Sequence, residues 1–374
     1  MRNLASVQLI KDIRPIEGAD KIEVCDILGW HCVIAKKDNF KIGDKVVYIE
    51  VDSIVPEKPE FEFLRDRKFI VKTIKLRGQI SQGLVIPFSF LPKGNYNVGD
   101  DVTEVLGITK YEPDEFNVIP VISKSNAGWR QYVPHCVKDF IFKTSPALGR
   151  VLFTVKSRKY NWPSFIPKTD ETRVQVLQKL LTEEKGKIYY GTEKVDGSST
   201  TYYYNKGTFG VCTRSMGVKI EGNTQGGIVG ALVKFVKDNN VEKKLTDWCV
   251  KNSRNIALQG ELHGNGIQGN KYALKGNDVR YFSVYDIDNQ RYLPIKEELK
   301  IVEELGLKFV PIVYKDFTMI DDIDELVKLA EGTSILNPKA QREGIVWRPI
   351  EPRADGVHTS FKSINPNFLI KYND

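Results

Sequence analysis

KIYYGTEKVDGSSTTYYYN, residues 187–205, is the stretch on which the reading of this chain turns. Both of its halves are rich in β-branched and aromatic residues, which favour extended, half-buried backbone. Between them lies Glu193-Lys194-Val195-Asp196-Gly197. Side chains alternate along a strand, so Lys194 and Asp196 are expected on one side with Val195 packed behind them, and Gly197 lets the backbone turn. A primary amine on the wall of a phosphate pocket attacks phosphorus once deprotonated, and desolvation or nearby positive charge lowers its pKa toward that state. A magnesium ion would supply such charge, with Asp196 placed to hold it directly or through its waters. The plain alternative is a surface lysine on a strand.

Moving outward, strands are expected at GTFGVCTRS, IALQGELHG, VRYFSVYDID, GIVWRP and SFKSI, again from β-branched and aromatic content. GGIVGALVKFVKDNN, LPIKEELKIVEELGL and DIDELVKLAEG carry apolar residues at helical spacing with Lys and Glu opposite, and are expected as helices. Residues 164–374 therefore read as an α+β domain of antiparallel sheets enclosing a cleft.

Residues 1–110 read differently. Short β-rich runs (ASVQLIKDIRPI, IEVCDILGWHCVIAK, KVVYIEVDSIVP, FIVKTIKLRG and GLVIPF) alternate with the turn signals EGAD, FKIGD and GQISQG. Five strands, few helical stretches and Lys/Arg alternating with apolar residues predict an OB-like β-barrel, a fold that often binds oligonucleotides. An SH3-like barrel without a ligand remains the alternative. Residues 111–163 have prolines at 113, 120, 134 and 146 and no sustained period, and are read as a linker with an insertion. Its aromatic and basic residues, Trp129, Arg130, Tyr132, Lys156, Arg158, Lys159 and Tyr160, suit either RNA contact or packing between domains.

The bulk composition bounds the answer further. The chain has 374 residues, 41% hydrophobic and 28% charged, a mix that fits folded domains rather than fibres or disorder. No apolar run approaches the roughly 20 residues needed to span a bilayer, and the N-terminus lacks a secretory signal pattern, so an intracellular, cytoplasmic location is expected. Five cysteines (Cys25, Cys32, Cys136, Cys212, Cys249) form no close pair, which argues against a disulfide framework or a zinc site. A net charge of +7 and a pI near 8.9 suit a polyanionic partner.

Beyond Lys194 the candidates follow in order. VCTRS offers Arg214, LQGELHGNGIQGNKY offers Glu261, RYFSVYDI offers Tyr285 with Phe282 in reserve, REGIV offers Glu343, and SFKSINPNFL offers Lys362. This ordered set resembles the covalent nucleotidyltransferase superfamily of polynucleotide ligases and RNA capping enzymes. The resemblance implies that Lys194 is the nucleotidylated residue. It further implies that Arg214 closes over the ribose and terminal phosphates, that Glu261 binds the ribose or the metal shell, and that Tyr285 covers adenine. By the same likeness Asp196, Glu261 and Glu343 are metal-organising carboxylates and Lys362 grips the α-phosphate.

Within that superfamily the chain is similar to RNA ligases of the Naegleria type. WPSFIPKTDETRVQ, EKVDGSS, GELHGNGIQ and SFKSINPNFL carry the likeness, and the barrel stands in front of the nucleotidyltransferase domain rather than behind its last lysine. The fold so implied is an OB barrel followed by an antiparallel-sheet, ATP-grasp-like ligase domain. Arg173 becomes a candidate for the ATP phosphates and Glu193, beside the nucleophile, a candidate for the cofactor. Lys75 and Arg77 are barrel candidates for the pyrophosphate, with solvated strand charges as the even alternative. The Lys-x-Lys of some relatives is absent, since Ser363 and Ile364 follow Lys362, and Lys371 lies too far along to replace the second lysine.

The implied activity is ATP-dependent joining of RNA 3′-hydroxyl and 5′-phosphate ends through lysyl-AMP, an RNA-repair reaction using two Mg²⁺ or Mn²⁺ ions, with a monomer favoured. A GTP-dependent capping guanylyltransferase and a non-catalytic RNA- or tRNA-binding protein are the competing readings. The first lacks its usual trailing barrel here. The second leaves the ordered motifs idle.

Overall fold

The structure, a computed structural model, describes residues 3–111, 137, 144, 161–220, 226–351 and 359–372. The short N-terminal runs form strands β1 (Ala5–Leu9), β2 (Asp12–Pro15), β3 (Ile22–Ile27), β4 (Trp30–Ala35), β5 (Lys45–Ile49), β6 (Ser53–Ile54), β7 (Ile70–Val71), β8 (Ile74–Leu76), β9 (Gln79–Ser81), β10 (Leu84–Pro87) and β11 (Thr109–Lys110). They pair in the orders β1-β5-β10, β2-β3-β4, β11-β6-β7 and β8-β9. Each expected long run is thus broken into shorter pieces, as a small, strongly curved barrel requires. The continuous apolar run of β5 has a reason: Val47 and Ile49 enter one hydrophobic core while Val46 and Tyr48 enter a second on the other face. Lys75 and Arg77 lie exposed on the β8–β9 hairpin, whose turn has positive φ at Arg77 (48°) and Gly78 (85°).

The C-terminal half contains two sheets. The first, in the order β12-β22-β21-β13-β20, uses β12 (Thr172–Arg173), β13 (Ile188–Lys194), β20 (Ile312–Thr318), β21 (Gly344–Pro349) and β22 (Phe361–Ile364). Only the β12–β22 pair is parallel. The second, antiparallel throughout, runs β16-β15-β14-β17-β18-β19 with β14 (Ser198–Asn205), β15 (Thr208–Thr213), β16 (Gly217–Val218), β17 (Ile256–Gly264), β18 (Asn277–Asp286) and β19 (Arg291–Tyr292). Helices Gly227–Asp238, Val241–Asn252 and Ile295–Glu304 bury the outer face of the second sheet through Leu232, Phe235, Leu245, Ile301 and Val302 against Tyr202, Leu258 and Tyr281. Helix Ile323–Leu329 and Leu181 of helix Gln178–Glu184 cover the outer face of the first, against Tyr189, Ile345, Trp347 and Phe361.

The stretch read first is the crossing point between these sheets. β13 ends at Lys194 in the first sheet and β14 begins at Ser198 in the second. The strand therefore stops before Asp196, and the Val195-Asp196-Gly197 segment carries the chain across, with Val195 buried against Tyr272 and Val310. Helix Val241–Asn252, strand β20 and helices Gln178–Glu184 and Pro366–Tyr372 are elements the sequence patterns did not announce. The aromatic and basic residues from Trp129 to Tyr160 lie outside the described residues. Four cysteines, Cys25, Cys32, Cys212 and Cys249, are buried and free, and no helix among the described residues is long and apolar enough to cross a membrane.

Gly197 has a steric reason for its place. A Cβ there would press into the Leu262 carbonyl oxygen and the Glu261 side chain on β17. Gly197→Ala is expected to destabilise the protein by about 1–3 kcal/mol through overpacking against an immobile backbone, visible as a lower Tm in calorimetry.

Candidate active site

The strand registers assemble the site. Across the first sheet Thr192 pairs with Val346, Val346 with Lys362, and Lys362 with Arg173, while Lys194 stands opposite Gly344. Alternation puts Lys194, Lys362 and Arg173 on one face. Glu343, immediately before β21, reaches the same end: its Oε1 lies 2.6 Å from Lys194 Nζ, with the side chains 14% and 25% exposed. From the second sheet, Glu261 on β17 approaches closely enough to act on the Lys194 charge, as does Asp196 from the crossover.

The electrostatics follow from this crowding. Burial alone would pull Lys194 down, but Glu343, Glu261 and Asp196 outweigh it and hold the ammonium above the ordinary lysine range. Burial raises Glu261 to about 8, aided by Glu343 and Asp196 and opposed by Lys194. Burial and the Glu343 charge raise Asp196 to about 7, against the pull of Lys271 and Lys194. Lys362 moves the other way: burial, then the charges of Lys194 and Arg173, push it down to about 7.

The barrel takes part through Arg173. Its Nη2 donates to Asp52 Oδ2 at 3.2 Å, and its guanidinium lies 5.6 Å from the Trp30 ring centre. The same junction is tied by the Gly29 N–H donating to the Gln175 carbonyl at 3.1 Å and by His31 Nε2, 3.2 Å from Asp324 Oδ1. Lys75 and Arg77 are exposed at the hairpin surface.

Not every expected residue is brought to the lysine. Glu193 faces the opposite side of its strand, where its buried carboxylate accepts hydrogen bonds from Ser334 Oγ and the Ile335 N–H. Strand alternation sends neighbours to opposite faces, so the Glu193 side chain does not share the Lys194 face. Tyr285 stands opposite Ala257, packed with Ile166, Ile287 and Tyr292, about 13 Å along β17 from Glu261 at the usual strand rise. Phe282 is the extra residue of a β-bulge between the Gln259–Ser283 and Gly260–Tyr281 pairs, and it packs beside Val195. Arg214 is half exposed and paired with Asp170 at 2.8 Å, yet its charge still reaches Glu261.

Four participants went unread in the sequence. Lys271 Nζ is 2.6 Å from Asp196 Oδ2, and the Asp196 N–H donates to Tyr272 Oη at 2.6 Å. Arg348 is buried, bound to Glu171 Oε1 at 2.9 Å and stacked on Phe282 at 5.6 Å. Asp52 orients Arg173. An arginine inside the apolar strand GIVWRP was a visible signal, because buried guanidinium demands partners. The others depend on contacts distant in sequence.

Comparison with known proteins agrees with this architecture. A family model for RNA ligases matches residues 187–364, and a model for an OB-fold domain matches residues 4–88. Over full length the chain is 33% identical to the Naegleria gruberi RNA ligase solved with PPi, covering 100% of both chains with a TM-score of 0.79. The chain belongs to the RNA ligase family. A variant of the same Naegleria ligase in which methionine replaces a lysine, solved with AMP and Mn, is 34% identical over 100% of both chains with a TM-score of 0.78. The variant with alanine in place of that lysine, solved with ATP and Mn, is 34% identical over 98% of each chain with a TM-score of 0.75. No curated protein matches the chain.

Within this ligase the donor set fits a divalent cation held mainly through water. Glu343 Oε2 is buried without a hydrogen-bond partner among the described residues, and burial together with neighbouring carboxylate charge drives the Asp196 and Glu261 carboxyls toward protonation. No three acidic, histidine or cysteine side chains among the described residues converge as direct ligands. Magnesium tends to keep several of its waters, which suits carboxylates that surround rather than converge.

Lys362 is held against its own electrostatics, and this predicts a trade between stability and activity. Below pH 7 the full cost of keeping Lys362 charged in the fold is present, and it fades as pH rises toward the ordinary lysine value of 10.5. Lys362→Met is expected to raise the Tm of the ligand-free protein by roughly 2–4 °C near pH 6, with the gain vanishing above about pH 10, while adenylylation falls. Thermal melts across pH, read beside a labelling assay, check both halves.

Proposed function

We propose that this RNA ligase seals 3′-hydroxyl to 5′-phosphate RNA ends through AMP carried on Lys194. The observation that carries the reading is the row Lys194, Lys362 and Arg173 on one sheet face, opposed by Glu261 from the other sheet. A nucleophilic amine, two phosphate-binding cations and a carboxylate wall make a site for a nucleoside triphosphate. Residues 164–374 act as the adenylyltransferase domain and residues 1–110 as the barrel that orients Arg173.

In the first step Lys194 Nζ, having lost its proton, attacks the α-phosphorus of ATP. The N–P bond forms as the bond to the bridging oxygen breaks and pyrophosphate leaves. In the second, an RNA 5′-phosphate oxygen attacks the same phosphorus, the N–P bond breaks, and a 5′-to-5′ pyrophosphate-linked adenylate forms. In the third, an RNA 3′-hydroxyl attacks the 5′-phosphate, AMP departs and the phosphodiester is complete. Lys362 and Arg173 are the cations for the α-phosphate and the leaving pyrophosphate. Phe282 rather than Tyr285 is the stacking surface for adenine, with Arg348 bracing its other face. A divalent cation, when bound near Asp196, Glu261 and Glu343, supplies the positive charge that favours a neutral Lys194.

Two features of the Naegleria ligase support this reading. Its solved complexes contain ATP or AMP with Mn, and its studied variants replace a lysine and an aspartate two positions later, the spacing of Lys194 and Asp196. ATP with Mg²⁺ or Mn²⁺ is accordingly the expected cofactor set here.

Incubation with α-labelled ATP and magnesium is expected to label the wild type covalently and Lys194→Ala not at all; equal labelling of both would overturn the assignment of the nucleophile. Labelling by GTP in place of ATP would favour the capping reading instead. Phe282→Leu should raise the KM for ATP by roughly tenfold, the loss of about 1–3 kcal/mol of base stacking. Tyr285→Leu should leave the KM within about twofold of wild type and lower the Tm, as expected of a core aromatic.

A further inference from the structure

One close, enclosed contact in the site that the reaction does not use is made by Lys271. Its ammonium and the Asp196 carboxylate are 2.6 Å apart, each side chain only 11% exposed. The next residue, Tyr272, takes the Asp196 backbone N–H with its hydroxyl at 2.6 Å. Two consecutive residues thus fix Asp196 by side chain and by main chain. Asp196 has no strand to hold it, because β13 ends at Lys194 and β14 begins at Ser198.

Lys271 is itself held. Its ammonium lies 5.0 Å from the Phe368 ring centre and 5.1 Å from that of Tyr372, both on the terminal helix Pro366–Tyr372. Its carbonyl accepts from Asn337 Nδ2 at 2.9 Å. Tyr372 Oη in turn accepts the Gln341 N–H at 3.3 Å, two residues before Glu343. One aromatic cage therefore connects the lysine on Asp196 to the segment that delivers Glu343. Arrangement of a flexible ammonium between two rings and a carboxylate costs side-chain entropy and desolvation, and a surface pair would need neither.

We propose that Lys271 is a positioning residue that holds the Asp196 carboxylate toward the Lys194 cleft in readiness for a divalent cation, with the Phe368–Tyr372 cage fixing the lysine in turn. Asp196 faces the like charges of Glu343 and Glu261. Without a cationic anchor its side chain swings away from them, and the carboxylate set loses the shape that receives the ion. A residue behind a metal-organising carboxylate acts through that carboxylate, and removing such partners typically weakens metal affinity by about 10–100-fold.

The proposal rests on the reading of Asp196 as a metal-organising residue in lysine adenylylation. Its test is Mn²⁺ binding to the full chain, read by the loss of the free Mn²⁺ signal in electron paramagnetic resonance and expected to weaken about tenfold in Lys271→Gln, beside the magnesium dependence of Lys194 adenylylation at saturating ATP, for wild type, Lys271→Gln, Lys271→Arg and Tyr372→Leu. Lys271→Gln should raise the half-maximal magnesium concentration at least about tenfold, with most of the rate recovered at high magnesium. Tyr372→Leu should shift it the same way by a smaller factor, and Lys271→Arg should restore part of the affinity. A fall in the magnesium requirement on losing Lys271 would mean that the lysine only competes with the ion, and would overturn the proposal. So would an unchanged requirement. If Lys271→Gln does not fold, the Tyr372→Leu shift decides alone. Failure of the wild type to label would instead remove the reading beneath it.

Discussion

The ion pair between Lys194 and Glu343 is the contact around which the rest of the site is arranged. It joins the last residue of β13 to the residue before β21, so it exists only because those strands pair with Lys194 opposite Gly344. A slip of one residue would turn Lys194 into the core beneath the sheet and bring Glu193 into the cleft. The register is guarded at both ends. A Cβ at Gly344 would collide with the Ser363 carbonyl oxygen, and one at Gly191 would press on Trp347 and Ile345. Trp347 also donates to Ser363 Oγ at 3.0 Å, locking β21 to β22 and thereby Lys362 to its place in the row.

An ion pair so enclosed is poor evidence of stability, since removing both ions from water costs several kcal/mol and mutual attraction only offsets this. The cluster is better described as a balance in which each charge is tolerable because of another. Lys194 is over-supplied with carboxylates and Lys362 under-supplied, although they share a face. Arg173 adds to the pressure on Lys362 and is relieved by Asp52 from the barrel. Such local frustration is usual where binding, rather than folding, is what the residues serve.

Much of this was legible in the sequence, and the failures have physical causes. Residues 187–205 announced two strands because β-branched and aromatic density is a local property, although Asp196, expected on the strand beside Lys194, lies in the crossover after it, and helices such as Ile295–Glu304 declared themselves by their period. Helix Val241–Asn252, VEKKLTDWCVKN, did not, because its apolar residues are few and polar side chains fill the gaps. The Glu193 carboxylate turns to Ser334 and Ile335, partners that lie 141 and 142 positions away. The β18 bulge at Phe282 alters both register and facing there, and no sequence pattern reveals it. Lys271, Tyr272 and Asp52 could not be read at all, because their partners lie 75, 76 and 121 positions away.

The two kinds of imbalance are complementary to the two parts of a metal–triphosphate substrate. Excess carboxylate around Lys194 is what a divalent cation relieves, and excess positive charge around Lys362 and Arg173 is what phosphate oxygens relieve. Relief of either one alone leaves the other strain in place, so the two ligands should favour one another's binding without any large movement of the sheets. With both satisfied, the carboxylates would hold the proton on Lys194 less firmly, which is the state the proposed nucleophile requires. The geometry that strains these charges against one another is therefore the same geometry that would favour Lys194 as the group that reacts.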